Sequence, residues 1–207
     1  GVDYQLPVND MKHNAALHGL MAWVEWQVAE VSDSEVTFKA LVPPRPGYPW
    51  TLRATVNYSL DSRKGLTITV QTTNIGEEAA PYGVAAHPYI SFDGALVDNY
   101  ELSVPAKAAA VMDENLIPVG QRAAEGHVHT SGVIGEAVLD DAYTDLPEGT
   151  WDVTIRDTAS GHGAVVSSEA RWIQVYSGDQ LGRTGLAIEP MSCAPNAFNS
   201  GDGLAVL

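Results

Sequence analysis

The sequence predicts an all-β protein, a large antiparallel β-sandwich. Three observations lead there. Short segments alternate apolar and polar residues at period two. The 19 Gly and 12 Pro of the 207 residues are spread along the chain rather than bunched. Nowhere do apolar residues recur at helical spacing over about eleven residues, so helix is a minor component. Roughly ten strands separated by turns suit a sandwich or barrel better than alternating βαβ units, and a chain of this size reads as one domain with one core over residues 1–207.

The clearest strands come first: Trp23–Val31, Glu35–Val42, Trp50–Leu60 and Gly65–Asn74. Between the last two, Asp61-Ser-Arg-Lys-Gly65 is a polar turn with Gly where a positive φ is wanted, which predicts a hairpin. The four prolines of Pro43-Pro-Arg-Pro-Gly-Tyr-Pro49 cannot donate to a ladder, so this stretch reads as a rigid loop leading into a strand. Further strands are expected at Tyr82–Ala86, Tyr100–Val104, Trp151–Asp157, Ala164–Ser168, Trp172–Tyr176 and Gly185–Ile188, and Arg122–Gly132 reads as a polar loop.

Eleven Lys and Arg against 26 Asp and Glu leave a formal net charge of −15. Such a surface repels phosphate backbones and anionic membranes, so neither nucleic acid nor membrane is an expected partner. No apolar run approaches the ~20 residues of a membrane span. The single cysteine, Cys193, rules out an internal disulfide and fits a reducing, cytoplasmic setting.

The chain carries no Gly-rich phosphate loop, CxxC, HExxH or GxSxG, which leaves acid–base chemistry as the main candidate. His87, in Ala85-Ala-His-Pro-Tyr-Ile90, is expected just after an apolar strand, where an imidazole can face a cleft and work near neutral pH. Glu189, in Gly185-Leu-Ala-Ile-Glu-Pro190, ends an apolar strand, and burial on one side would raise its pKa toward that of a base. Taken singly, each is more often a polar or solvated strand end. His18 sits at a loop-to-strand junction before Gly19. The adjacent Asp140 and Asp141 would point to opposite sides of an extended chain, so at most one faces any given site. His127 and His129 could share a strand face, but no third ligand is evident and no metal site is expected. Cys193, in a Pro- and Asn-rich loop, reads as inert, and the aromatics, Tyr89 and Tyr176 among them, read mostly as packing, with one at a cleft able to stack on a sugar face.

Four segments, in order, resemble the aldose 1-epimerase (galactose mutarotase) family: Asn14-Ala-Ala-Leu-His-Gly-Leu20, Ala86-His-Pro-Tyr89, Leu139-Asp-Asp-Ala-Tyr143, and Ile188-Glu-Pro-Met191 with Pro195-Asn-Ala-Phe-Asn199. Tyr4-Gln-Leu6 with Asn9, Tyr48-Pro-Trp50, Asp113-Glu-Asn-Leu-Ile-Pro118 and Ile173-Gln-Val-Tyr-Ser-Gly178 extend the similarity over nearly the whole chain. The resemblance implies a galactose mutarotase-like supersandwich that interconverts the α and β anomers of free hexoses without cofactor or metal. By position it implies Glu189 as general base, His87 as general acid and His18 as an assistant at the ring oxygen. Asp140, Tyr89 and Gln174 are the substrate-binding residues it implies, with a monosaccharide as the partner.

Two departures from the family pattern stand out. Asp141 replaces the family's usual histidine after the gripping aspartate, which implies extra negative charge beside the site. Family members also carry further strands, and an arginine that contacts the sugar, before the segment resembling Gly1-Val-Asp-Tyr-Gln-Leu6. The expectation is therefore a domain incomplete at both ends, with an N-terminal segment or a second copy of the chain covering the sheet edge. A hexose-6-phosphate mutarotase is the rival within the same fold, although the arginines are scattered rather than grouped with the motifs. A carbohydrate-binding sandwich that has lost catalysis is the rival from another class.

Overall fold

A computed structural model describes residues 2–126 and 131–207. Among them are sixteen strands and one four-residue helix, α1 (Ala197–Ser200). The strands are β1 (Gln27–Val31), β2 (Glu35–Val42), β3 (Leu52–Asp61), β4 (Gly65–Asn74), β5 (Pro81–Tyr82), β6 (Tyr89–Ile90), β7 (Tyr100–Ser103) and β8 (Ala108–Met112). They continue with β9 (Pro118–Ala123), β10 (Gly132–Val133), β11 (Asp140–Thr144), β12 (Trp151–Asp157), β13 (Gly163–Ser168), β14 (Trp172–Tyr176), β15 (Leu186–Met191) and β16 (Ala205–Val206). The ladders are antiparallel, as the alternating pattern requires. The chain forms two compact units, residues 1–81 with 206–207, and residues 82–205.

The first unit is built on the meander β1-β2-β3-β4. The hairpin expected between β3 and β4 is present: Gly65 has φ +76°, and the Asp61 carboxylate accepts the amides of Arg63 and Lys64. The proline-rich stretch is a loop, closed by paired backbone bonds between Arg45 and Tyr48. There Gly47 adopts φ +82°, and a Cβ at that point would collide with the backbone of Gln5. The first strand begins at Gln27 rather than at Trp23, whose side chain is 91% exposed and gains nothing from a ladder. Val42, Leu52 and Ala54 on one face of the meander are buried, while Leu60 and Leu66 farther along that face are exposed.

The second unit packs two sheets face to face, β10-β7-β12-β13 against β6-β15-β14-β11-β8-β9. β12 alternates strictly: Trp151, Val153 and Ile155 are buried while Asp152, Thr154 and Arg156 are exposed. They meet Ile173, Val175, Leu186 and Ile188 of β14 and β15, with Tyr100 and Leu102 of β7, in one core. The polar tips of its aromatics are satisfied, since the Trp151 indole donates to the Ala170 carbonyl at 2.7 Å and the Tyr100 hydroxyl bonds the backbone at Ala95 and Phe92. Part of the loop expected over residues 122–132 is strand, because Arg122 and Ala123 end β9 and pair with β8.

Leu102, fully buried in this core, should cost about 2–5 kcal/mol when cut to Ala. Val165→Ala, at an exposed position, should stay within about 0.5 kcal/mol of wild type. Urea unfolding of both variants checks the contrast.

Candidate active site

The six-stranded sheet of the second unit has one apolar face turned to the core, and the strand period then puts every intervening residue on the other face. The registers line them up. Gln174 of β14 lies opposite Glu189 of β15, Tyr176 opposite Ala187 and also opposite Asp140 of β11, and Tyr89 of β6 opposite Ala187. The outer face therefore carries Tyr89, Glu189, Gln174, Tyr176 and Asp140 in a band, with Ala187 and Ala142 as small, fully buried floor positions.

His87 reaches this band by a route different from the one expected. It does not follow a strand over Tyr82–Ala86; it precedes β6 in an irregular segment flanked by two prolines' worth of interrupted ladder. Ala86 donates to the Pro190 carbonyl and Ile188 donates to the Pro88 carbonyl, so the segment still runs antiparallel along β15 and brings His87 across from Glu189. The missing amides of Pro88 and Pro190 break the regular ladder here. His87 Nε2 lies 3.3 Å from Glu189 Oε1, and its ring stacks on Tyr89 with centroids 5.1 Å apart and planes 25° apart. The contact is longer than the 2.7–2.9 Å of a tight charge-assisted bond.

Glu189 is 8% exposed. Burial, and after it the Asp140 carboxylate, push its pKa up to about 7. Tyr89 is pushed up too, by burial and by the charges of Glu189, Tyr176 and Asp140. Asp140 itself is exposed and accepts a hydrogen bond from the Gln174 amide at 2.7 Å. The pair of adjacent aspartates divides as expected. Asp141 points to the opposite side, where Arg122 meets its carboxylate at 3.1 Å and the Tyr143 hydroxyl lies 3.4 Å away. The extra negative charge expected beside the site is thus turned away from it and paired. Burial, and then Asp141, push the Tyr143 phenol well above its ordinary range.

His18 belongs to the first unit, in a turn at φ +61° followed by Gly19 at φ +64°, not at the start of a strand. His127 and His129 lie outside the described residues. Cys193 is half-buried, and burial pushes its thiol up, opposite to the activation a nucleophile needs. Tyr176, read from sequence as packing, stands on the site face. The parity of Trp172-Ile-Gln-Val-Tyr176, with Gln174 as a polar residue between two buried ones, is the signal that could have found it.

Solved structures with the same fold follow the molecule closely. A putative aldose 1-epimerase from Escherichia coli K12 superposes with a TM-score of 0.80 at 20% identity, over 99% of this chain and 70% of that one. A galactose mutarotase-like protein from Lactobacillus casei superposes at 0.68 and 19% identity, over 88% of this chain and 68% of that one. The fold is therefore the galactose mutarotase-like one. The sequence profile described as Aldose 1-epimerase matches residues 1–207, and the chain belongs to that family. Uncharacterized protein YihR of Escherichia coli K12 is 39% identical over 210 residues, all of this chain and 68% of that protein. Human galactose mutarotase is 28% identical over 128 residues, 58% of this chain and 36% of that enzyme.

A carboxyl group held near 7 in the folded state, against 4.5 ordinarily, makes stability depend on pH with a definite sign. Its contribution is fully present below about pH 4.5 and is lost as pH rises through about 7, because the folded state resists the ionised form. Glu189→Gln should therefore equal wild type near pH 4 and exceed it by about 1–3 kcal/mol at pH 8. Urea titrations at the two pH values decide this, and a variant less stable at pH 8 would contradict it.

Proposed function

We propose that the protein is an aldose 1-epimerase, an isomerase that interconverts the α and β anomers of a free hexose such as galactose or glucose. The reading rests above all on the adjacency of His87 and Glu189 at 3.3 Å, one buried carboxyl and one imidazole on the polar face of the sheet. Glu189 as carboxylate removes the proton of the anomeric hydroxyl while His87 protonates the ring oxygen. The C1–ring oxygen bond breaks, the C1 oxygen becomes an aldehyde, and rotation about C1–C2 exposes the other face. Reclosure runs the same transfers backwards, so each group ends in its starting state.

Asp140 and Gln174 take the sugar hydroxyls: an ionised carboxylate accepts only, and the amide both donates and accepts. Tyr89 offers a half-exposed aromatic face to the apolar side of the ring. The band itself is acidic, and Arg122 and Arg183 are each engaged by carboxylates, which favours a neutral sugar over a sugar phosphate.

Polarimetry on α-D-galactose and α-D-glucose tests the reading. Glu189→Ala and His87→Ala should each slow mutarotation by about 10²–10⁴. Equal rates for wild type and both variants would make the protein a binder, and turnover of glucose 6-phosphate without free hexose would move the substrate. Because the base must be ionised, kcat/KM should rise with pH to a midpoint near 7. In Asp140→Asn that midpoint should fall, since a charge opposing ionisation of Glu189 is gone.

A further inference from the structure

We propose that Arg183, in the turn between β14 and β15, is a positioning residue that sets Asp140 against Glu189 through the segment 135–139. The inference rests on the reading of Asp140 as a sugar ligand. The Arg183 side chain is 17% exposed, and its backbone is held at φ +57°. Nε donates to Asp98 at 2.7 Å and one terminal nitrogen to Asp179 at 2.8 Å. The other terminal nitrogen donates to the carbonyls of Gly135 at 2.8 Å and Ala137 at 3.1 Å. A planar, five-donor fork is needed to satisfy four acceptors in fixed directions, and lysine cannot copy it.

Two routes run from this fork to the residue before Asp140. The direct one fixes the Ala137 carbonyl, two peptides ahead of Leu139. The other passes through Asp179, which accepts from the Ser177 hydroxyl. That hydroxyl in turn accepts the Leu139 amide at 2.9 Å, while the Ser177 amide donates to the Leu139 carbonyl at 2.9 Å. Ser177 is fully buried, so this clasp has no water to replace it. Asp140 follows directly as the first residue of β11. Arg183 also lies six residues before Glu189, and the turn it closes joins the strand of Gln174 and Tyr176 to the strand of Glu189. One guanidinium thus ties together the ends of β11, β14 and β15, three of the four strands that carry the polar band. Asp140 is exposed and has no core packing of its own, so its position depends on the Gln174 amide, its pairing with β14 and the backbone that precedes it.

Arg183→Lys, Asp140→Asn and the double variant test this in the 207-residue chain. Polarimetry should find the KM for galactose raised about tenfold in both single variants with kcat changed less than about threefold, the pattern of lost ground-state binding. Adding Arg183→Lys to Asp140→Asn should change KM by less than about twofold, because the first acts through the second. Multiplying effects, or a lowered Tm with KM unmoved, would overturn the proposal.

A readout that needs no turnover separates its failure from that of the mutarotase reading. Glu189 faces His87 and Tyr89 on one side and Asp140 and Tyr176 on the other. Carbon-13 NMR titration of the Glu189 carboxyl should show its midpoint falling alike in Arg183→Lys and Asp140→Asn, with no further fall in the double variant. An unmoved midpoint in Arg183→Lys overturns the inference even if wild type turns over no sugar. Should Arg183→Lys fail to fold, Asp179→Asn removes one strut of the clasp and is held to the same KM and titration criteria.

Discussion

Ile173 and Val175 of β14, with Leu186 and Ile188 of β15, are buried against the second sheet, and the face opposite depends on that burial. With a side-chain period of two, those four residues oblige Gln174, Tyr176, Ala187 and Glu189 to point the other way. Each buried Ile, Leu or Val contributes about 1.5–3 kcal/mol, far more than any polar contact in the band. A slip of one residue would turn Glu189 into the core and Ile188 out. The core therefore specifies the register, and the register brings Gln174 opposite Glu189 and Tyr176 opposite Asp140.

That arrangement has a cost located at Glu189. A carboxyl that follows the buried Leu186, Ala187 and Ile188 and is itself buried cannot be fully hydrated, and a second carboxylate stands across β14 from it. A carboxyl in a place that opposes its own ionisation is the usual signature of a group whose proton affinity matters. His87 belongs to the same compromise. The prolines at 88 and 190 give up ladder bonds on the one stretch where an imidazole must come across from that carboxyl.

Legibility in the sequence followed burial asymmetry. β2, β4, β12 and β14 were read to the residue, because one face of each is apolar or they are bounded by clear turns. β8 was missed: Ala108-Ala-Ala-Val-Met112 has Ala109 and Ala110 buried on successive positions, so no alternation survives to be seen. β11 was hidden by its own motif, since two aspartates at its start look like a loop, yet the opposite placement of Asp140 and Asp141 followed from period two alone. His87 and Glu189 were found by chemistry and resemblance. Tyr176 is legible only through a local parity shared with Gln174, which a packing reading of the aromatic overrides, whereas Arg183 is distinguished by long-range contacts, with carbonyls 46 and 48 residues away.

Asp140 and Glu189 carry the same functional group on the same face of one sheet, and they are separated by environment rather than by kind. Glu189, on β15 next to the edge strand β6, is nearly closed to solvent, and burial together with the Asp140 carboxylate pushes its pKa up to about 7. Asp140 begins β11, a central strand of the same sheet, where it is open to water and accepts a hydrogen bond from the Gln174 amide. Under the proposed function, this difference in burial between two strands divides proton transfer from hydroxyl recognition, as with paired carboxylates in other acid–base sites. The difference exists because the apolar residues beneath Glu189 are held by the core, while the residue beneath Asp140's own strand end, Leu139, is held by the polar clasp of Ser177, Asp179 and Arg183. Packing fixes Glu189, and hydrogen bonding fixes the backbone that leads into Asp140, so under the proposed mutarotase reading changes to the two should separate in kcat and KM.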